Sequence, residues 1–265
     1  MTPGPSPQEA DDRRPAAHHP TGRRPAAQLP GKDAHPPRRR PDRLRRALLI
    51  AVALGGLALI ADGVLTIVWQ EPVTAWRAAK AQDELRDDLA ELSRALTRTS
   101  PRLTPMPQTP QARIRHMASE LRRTRRPGQA LGRLEIPLLG LDTVFVSGVG
   151  DDDLKKGPGH YPTTALPGQY GTAGIAGHRT TYGAPFRHID RLRPGSRIIV
   201  HMPYGTFTYR VTHKRITTPE DTSSLQPRAG QQRLVLTACH PLYSAAERIV
   251  VSARLVSSRP ATAAA

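Results

Sequence analysis

The chain has little cysteine: Cys239 is the single one among 265 residues. One cysteine excludes a disulfide within the chain, so the fold cannot rest on a covalent crosslink. An unpaired thiol in an exported protein is either a reactive group or a small buried hydrophobic one. The residues around Cys239 therefore decide between these two interpretations.

Aromatic side chains are also scarce, at 4% of the residues, so a packed core has to be built from Leu, Ile, Val and Ala. The formal net charge of +17 would suit a nucleic-acid partner. Nucleic-acid modules carry a fold signature with interleaved aromatic residues, and the sequence has none. Much of the positive charge lies instead in arginine runs before Arg46 and between Arg113 and Arg126. We therefore expect no nucleic-acid binding.

Residues 1–46 lack any hydrophobic periodicity and are rich in Pro, Arg, Ala and His. Such a segment buries too little apolar surface to offset the entropy that ordering costs. We predict that it is a disordered basic tail.

Only one long apolar run occurs, over residues 47–69, and it exceeds the length of about 20 residues that a helix needs to span a bilayer. A cleaved signal peptide is the alternative, but its apolar region would be about 7–15 residues long and would end at a small-residue site. We predict an uncleaved transmembrane helix, with Asp62 as its one costly residue. Arginines precede the run and Glu71 follows it, so the positive-inside rule places the N-terminus in the cytoplasm and the remainder outside.

Residues 70–128 are predicted to form an extracellular helical stalk and a linker. The part from Thr74 to Arg98 has leucines at helical spacing and neither proline nor glycine, which indicates a helix. Prolines and arginines crowd the part from Thr99 to Gly128, which we interpret as the linker.

Over residues 129–257, short β-rich runs are separated by Gly, Pro and Asp turn signals. The runs are LGRLEIPLL, TVFVSGV, TAGIAGH, SRIIVHM, TFTYRVTHKRI, RLVLTAC and RIVVSARLV. Two brief helical stretches are predicted near Pro185–Leu192 and Pro219–Leu225. This pattern predicts a mainly β fold, a closed barrel of seven or eight strands with short helices. Residues 258–265 are predicted to be a disordered C-terminal tail.

Three segments of this region carry reactive side chains at strand ends. His178 follows the apolar strand in GIAGHRTTYGAPF, Cys239 ends the strand in RLVLTACHP, and Arg248 begins the strand in ERIVVSARLV. Arg248 follows Cys239 by nine positions, which suits two adjacent antiparallel strands joined by a loop. His178 precedes Cys239 by 61 positions, so spacing alone does not place the imidazole.

These segments resemble the sortase family, whose members carry a His in a strand-end loop, a Cys that closes a strand in a T-L-x-T-C pattern, and an Arg in the next strand. The longer strings GPGHYPTTALPGQYGTAGIAGHRTTYGAPF and LTACHPLYSAAERIVVSARL look most like class E, the housekeeping sortases of high-GC Gram-positive bacteria. Two threonines of the family pattern are replaced here by Val235 and Ala238. The second replacement removes a hydroxyl next to the nucleophile.

The resemblance implies a cysteine transpeptidase that cleaves a Leu-Pro/Ala-x-Thr-Gly sorting signal between Thr and Gly. The acyl group would be held as a thioester on Cys239 and passed to an amine of a cell-wall precursor. A thiolate is the attacking form of cysteine, the imidazole of His178 would move the proton, and the guanidinium of Arg248 would stabilise the oxyanion. The implied partners are secreted proteins with a C-terminal sorting signal, a peptidoglycan precursor amine and the membrane.

The same strings supply weaker candidates for substrate binding: Tyr161, Thr180, Thr237, Ala238, His240 and Tyr243. The run Asp151-Asp152-Asp153 would suit calcium, which some sortases use, but adjacent carboxylates in a loop are more typical of a helix start. We expect neither a metal nor a cofactor.

Two other function classes fit the residues. A thiol hydrolase would use the same site and release the acyl group to water. A non-catalytic wall-binding protein would not need Cys239 at all.

Overall fold

The computed structural model describes residues 42–68, 72–99 and 109–261. The greater part of the predicted N-terminal tail and the last residues, 262–265, lie outside these ranges. The first described element is helix α1, Asp42–Val68, which begins five residues before the predicted start of the apolar helix. Its stretch Arg43–Val64 is long and apolar enough to cross a membrane, with a mean hydropathy of 2.3.

Eight strands form a closed barrel, as the sequence predicted. They are β1 Ala130–Ile136, β2 Leu141–Ser147, β3 Gly159–His160, β4 Gly171–Ala176, β5 Arg197–Met202, β6 Gly205–Thr217, β7 Gln232–His240 and β8 Glu247–Pro260. The order around the barrel is β1-β2-β3-β4-β7-β8-β6-β5, and β5 pairs with β1 to close it. The pairs β2–β3 and β4–β7 are parallel, and the others are antiparallel.

Two strands, β3 and β8, differ from the prediction. The strand β3 has only two residues and no alternating pattern, so sequence periodicity could not reveal it. The strand β8 continues to Pro260, which pairs with Gly205, so the predicted C-terminal tail starts too early.

Alternation along the strands separates a core face from an outer face. In β7, Leu234, Leu236 and Ala238 belong to the barrel core. Successive side chains of a strand point to opposite faces, so Thr237 and Cys239 face outward. The catalytic candidates of this strand therefore lie outside the packed core.

Helix α2, Pro72–Thr99, covers the segment predicted to be helical, but it is not a free stalk. Its Leu85 packs with Val144 and Val146 of β2 in a small apolar cluster. The amide of Gln82 donates to the main-chain oxygen of Val144 at 2.9 Å and accepts from its N–H at 2.8 Å. The helix is therefore docked on the barrel by both apolar and polar contacts.

Helix α3, Pro110–Thr124, lies in the segment interpreted as a linker, so that interpretation is wrong here. The hydroxyl of Thr109 caps the helix by accepting from the N–H of Ala112 at 3.2 Å. Proline is compatible with the first helical position, where no N–H is needed, so Pro110 starts the helix instead of preventing it. Its buried residues join the barrel core: Ile114, Ala118 and Leu121.

Three of the remaining short helices follow the sequence signals, whereas a 3₁₀ turn at Pro137–Leu139 lies in a run predicted to be β-rich. Helix α4, Asp151–Leu154, begins at the three adjacent aspartates, which confirms that they start a helix. Single turns of 3₁₀ helix at Ile189–Arg191 and Ser223–Leu225 fall in the two stretches predicted to be helical.

A buried histidine should make the stability of the barrel depend on pH. His160 of β3 is 3% exposed, and its Nε2 donates to the main-chain oxygen of Ala165 at 2.8 Å. Burial lowers the pKa of His160 from 6.5 to about 4. The unfolded chain therefore takes up a proton as the pH falls below 6.5, whereas the folded chain does not until about pH 4.

We expect the folded state to lose roughly 2–3 kcal/mol of stability between about pH 7 and 4.5 through this residue. Urea unfolding of the full chain in detergent, followed by circular dichroism, measures this loss. His160→Gln should be less stable near pH 7 but should lose less than the wild type on acidification. Equal losses in the two proteins would contradict the assignment to His160.

Candidate active site

The site is built on β7, whose two neighbours in the barrel are β4 and β8. In the parallel pair, each residue from Gly171 to Ala176 lies opposite the residue 61 positions later, so that Ala176 faces Thr237. The N–H of Gly177 continues this pairing by donating to the oxygen of Thr237 at 3.0 Å. Continued for two residues past Ala176, the register brings His178 level with Cys239.

On the other side of β7, Cys239 is paired directly with Arg248 of β8. Neighbouring strands lie about 4.8 Å apart, so the backbone positions of these residues are close. Arg248 precedes the core residue Ile249, as Cys239 follows the core residue Ala238, and alternation therefore turns both side chains outward. The fold thus brings the three predicted residues to one end of the barrel on its outer face.

The guanidinium of Arg248 is held by the loop that joins β7 to β8. Its Nη1 donates to the main-chain oxygens of Ala245 and Glu247, each at 3.0 Å. These bonds use one nitrogen of the guanidinium and fix the plane of the group. Within the described residues, neither Nε nor Nη2 of Arg248 makes a hydrogen bond, so both can donate to a developing negative charge.

The imidazole of His178 lies in the loop that follows β4 and is only partly buried. The main-chain oxygen of His178 accepts from the N–H of Phe186 at 2.9 Å, and the ring of Tyr182 lies 5.3 Å from the imidazole between centroids. Burial lowers the pKa of His178 from its ordinary value, and the carboxylate of Asp151 opposes this effect. The neutral imidazole, the form that accepts a proton, is therefore favoured near pH 7.

The thiol of Cys239 is free and only partly buried. It is accordingly not one of the inert core cysteines that pack as small hydrophobic groups. A partly exposed thiol on a residue that pairs across the strands with an arginine suits a nucleophile.

A polar contact lines the outer face next to the thiol. The hydroxyl of Tyr161, in the loop after β3, lies 3.0 Å from the Oγ1 of Thr237. A Cβ atom on Gly174 would lie 2.9 Å from the ring of Tyr161 and 2.7 Å from the side chain of Leu225. The absence of a side chain at Gly174 thus lets both neighbours approach the outer face of β4.

The other predicted binding residues are not all in one place. His240 and Thr180 are partly buried at the same end of the barrel as Cys239. Tyr243 is 57% exposed, and its hydroxyl accepts from the Nη2 of Arg187 at 3.1 Å. Ala238, in contrast, is buried in the barrel core, because it alternates with Thr237 and Cys239; its side chain packs the core and cannot line a groove.

One residue of the site was missed by the sequence analysis. Arg179 is 4% exposed and donates to the main-chain oxygen of Cys239 at 3.3 Å. Its position directly after His178 was the only signal in the sequence that could have drawn attention to it.

The described side chains can also be compared with the ligand sets of metal sites. Among residues 42–68, 72–99 and 109–261, no three side chains of the types His, Cys, Asp and Glu are grouped so as to hold an ion. The aspartates of α4 cap that helix, as the carboxylate of Asp153 shows by accepting from the N–H of Gly150 at 3.0 Å.

Comparison with known proteins agrees with the barrel. The sortase-domain family profile matches residues 134–256. The chain is 37% identical over 114 residues to Sortase D of Bacillus subtilis, covering 43% of this chain and 56% of that protein. It is 34% identical over 149 residues to Sortase SrtE1 of Streptomyces coelicolor, covering 51% of this chain and 42% of that protein. The chain thus spans about half the length of these curated relatives.

Solved structures show the same fold. A Sortase D5 transpeptidase of Clostridium perfringens superposes with a TM-score of 0.52 at 22% identity, over 69% of this chain and 100% of that one. The SrtF sortase of Corynebacterium diphtheriae superposes with a TM-score of 0.50 at 31% identity, over 52% of this chain and 90% of that one. Residues 134–256 are thus a sortase domain, and through this domain the chain belongs to the sortase family.

Proposed function

We propose that the chain is a cysteine transpeptidase that cleaves a sorting signal through a thioester on Cys239. The strand register carries the proposal: Cys239 pairs with Arg248, and Ala176, two residues before His178, pairs with Thr237, two residues before Cys239. A nucleophile, a proton carrier and a fixed cation are the groups that acyl transfer from a peptide requires.

In the first half-reaction, the sulfur of Cys239 attacks the carbonyl carbon of the signal's Thr while His178 accepts the thiol proton. The carbonyl oxygen becomes negative, and the free nitrogens of Arg248 donate to it. Collapse of the tetrahedral intermediate breaks the Thr–Gly C–N bond, and the imidazolium of His178 gives its proton to the departing Gly amine. The products are a thioester on Cys239 and a peptide with a new amino terminus.

In the second half-reaction, an amine attacks the thioester carbonyl and His178 takes a proton from the attacking nitrogen. The C–S bond then breaks, and the proton returns to the sulfur of Cys239. The amine of a cell-wall precursor is the acceptor we propose, as the family resemblance implies. The donor would be a secreted protein with a C-terminal sorting signal.

The finer assignment is to class E, with a signal of the form Leu-Ala-x-Thr-Gly or Leu-Pro-x-Thr-Gly. The similarity to Sortase SrtE1 supports it, although Sortase D has comparable identity. Tyr161 and Thr237, which contact each other beside the thiol, are the groove residues we propose for the donor peptide.

We further propose that helix α1 anchors the enzyme in the cell membrane. The stretch Arg43–Val64 supports this by its length and hydropathy. The arginines before it place the N-terminus in the cytoplasm and the barrel outside the cell.

Substitutions in the site test the assigned roles. Cys239→Ala should abolish cleavage of a Leu-Ala-x-Thr-Gly peptide by the full chain in detergent, because no other thiol is present. His178→Ala and Arg248→Ala should each lower kcat/KM by about 10²–10³-fold or more, the range seen when a proton carrier or an oxyanion donor is lost.

Two exposed residues serve as matched controls: His188, in the loop after β4, and Arg254, on β8. Replacing either with Ala should leave the rate within about twofold. Full cleavage by Cys239→Ala would contradict the role of Cys239 as the nucleophile, whereas no cleavage by the wild type would favour a wall-binding protein. A near-normal rate for His178→Ala or Arg248→Ala would refute the role given to that residue.

An acceptor amine separates transfer from hydrolysis. We expect the thioester to partition to an amide product when a small amine acceptor is added, with a corresponding fall in the free acid. Mass spectrometry of the donor products, with and without the amine, measures the partition. Free acid alone at saturating amine would identify a thiol hydrolase.

The pH dependence of kcat/KM should report the burial of His178. Because its pKa is lowered from the ordinary value of 6.5, His178 is still neutral at pH 6.5. Activity should therefore fall only as the pH drops below 6.5. Asp151→Asn removes a carboxylate that raises the pKa of His178. It should therefore move the acidic limb of the kcat/KM profile to still lower pH.

Asp152→Asn is the matched control, because Asp152 pairs with Lys155 at 2.7 Å and is not among the groups that shift His178. It should leave the acidic limb in place. An acidic limb at or above pH 6.5 in the wild type, or equal shifts in the two variants, would contradict this account.

A further inference from the structure

The side chain of Arg179 is 3% exposed, although it carries a permanent charge. A buried guanidinium is costly unless its N–H groups are paired. The partners of Arg179 therefore indicate what the residue does.

All five N–H groups of the guanidinium are used. On one side, Nε and Nη2 donate to the main-chain oxygen of Arg187 at 3.4 and 3.3 Å, and Nη2 also donates to the carboxylate of Asp190 at 2.9 Å. On the other side, Nη1 donates to the main-chain oxygen of Cys239 at 3.3 Å and to the Nδ1 of His240 at 3.1 Å. An arginine has five such donors, so none is left for a substrate.

These bonds join two separate parts of the site. Arg187 and Asp190 belong to the loop between β4 and β5, which also carries His178, whereas Cys239 and His240 end β7. The guanidinium therefore ties the segment with the proton carrier to the segment with the nucleophile. The carbonyl that it holds belongs to the nucleophile's own residue.

The bond to His240 has a chemical consequence. Arginine only donates, so the Nδ1 of His240 must be the acceptor and carries no proton. The proton of that neutral ring is then on Nε2, and the Nδ1 lone pair cannot take the thiol proton. Of the two histidines near the thiol, His178 is thereby left as the base.

We propose that Arg179 is a positioning residue: it fixes the Cys239 peptide and the His240 ring, and so holds the sulfur in line with His178 and Arg248. The effect on the reaction rate that follows from this role rests on the proposed function. Misplacement of a reacting group by about 1 Å can cost ~10²-fold in rate, so the effect should fall on kcat. The donor groove at Tyr161 and Thr237 is not touched, so KM should change little.

The test compares Arg179→Met with Arg125→Met in the full chain in detergent. Arg125 is a matched control, because its side chain is also mostly buried and pairs with Asp88 at 2.7 Å without contacting the site. Rates are normalised to the folded fraction measured by circular dichroism. We expect Arg179→Met to lower kcat by about 10–100-fold with KM within about twofold, and Arg125→Met to change neither beyond about twofold.

A kcat for folded Arg179→Met equal to that of Arg125→Met would overturn the proposal, and so would a raised KM with an unchanged kcat. If Arg179→Met does not fold, Arg179→Lys replaces it. One ammonium cannot span both sides of the network, so kcat should still fall about tenfold; a wild-type kcat would overturn the proposal.

A second measurement does not need activity. In ¹⁵N-histidine NMR spectra, the Nδ1 of His240 should be unprotonated in the wild type and in Arg125→Met, and should exchange between tautomers in Arg179→Met. A protonated Nδ1 in the wild type would overturn the proposal. If the wild type cleaved no sorting peptide, the proposed function would fail, whereas this NMR result would still decide the role of Arg179.

Discussion

The pairing of β7 with its two neighbours is the constraint on which the site depends. The main-chain pairing of β7 with β8 sets Cys239 opposite Arg248, and its pairing with β4 sets Thr237 opposite Ala176, two residues before His178. A slip of β7 by one residue would exchange the faces of Ala238 and Cys239, because side chains alternate along a strand. The thiol would then lie in the core and a methyl group would take its place on the outer face.

Two arginines near Cys239 in the fold, Arg248 and Arg179, are held by hydrogen bonds to main-chain oxygens. Loop carbonyls hold Arg248, and the buried guanidinium of Arg179 holds the carbonyl of Cys239. Because these groups are already oriented in the folded chain, little reorganisation is needed when charge develops during a reaction. The barrel acts as a support that holds Cys239 and Arg248 on its strands and His178 in the loop after β4.

Much of this arrangement could be predicted from the sequence, and the exceptions have physical reasons. Seven short β-rich runs predicted a barrel of seven or eight strands, whereas β3 was too short to have a pattern. The crowded prolines favoured a linker before the barrel, although Pro110 starts α3. The spacing of Cys239 and Arg248 suited a hairpin, but the level of His178 depends on a parallel pairing that local sequence does not encode. Arg179 was missed because its role lies in partners that are distant in sequence, Cys239 and His240.

The parallel pairing of β4 with β7 also has a consequence for how the chain matures. Residues in this pair are 61 positions apart, and the intervening β5 and β6 are placed elsewhere in the barrel. Loop closure over such a separation costs entropy before any contact compensates for it. The end of β4 and the end of β7, with Cys239, therefore come together only in a chain that has completed this long-range pairing.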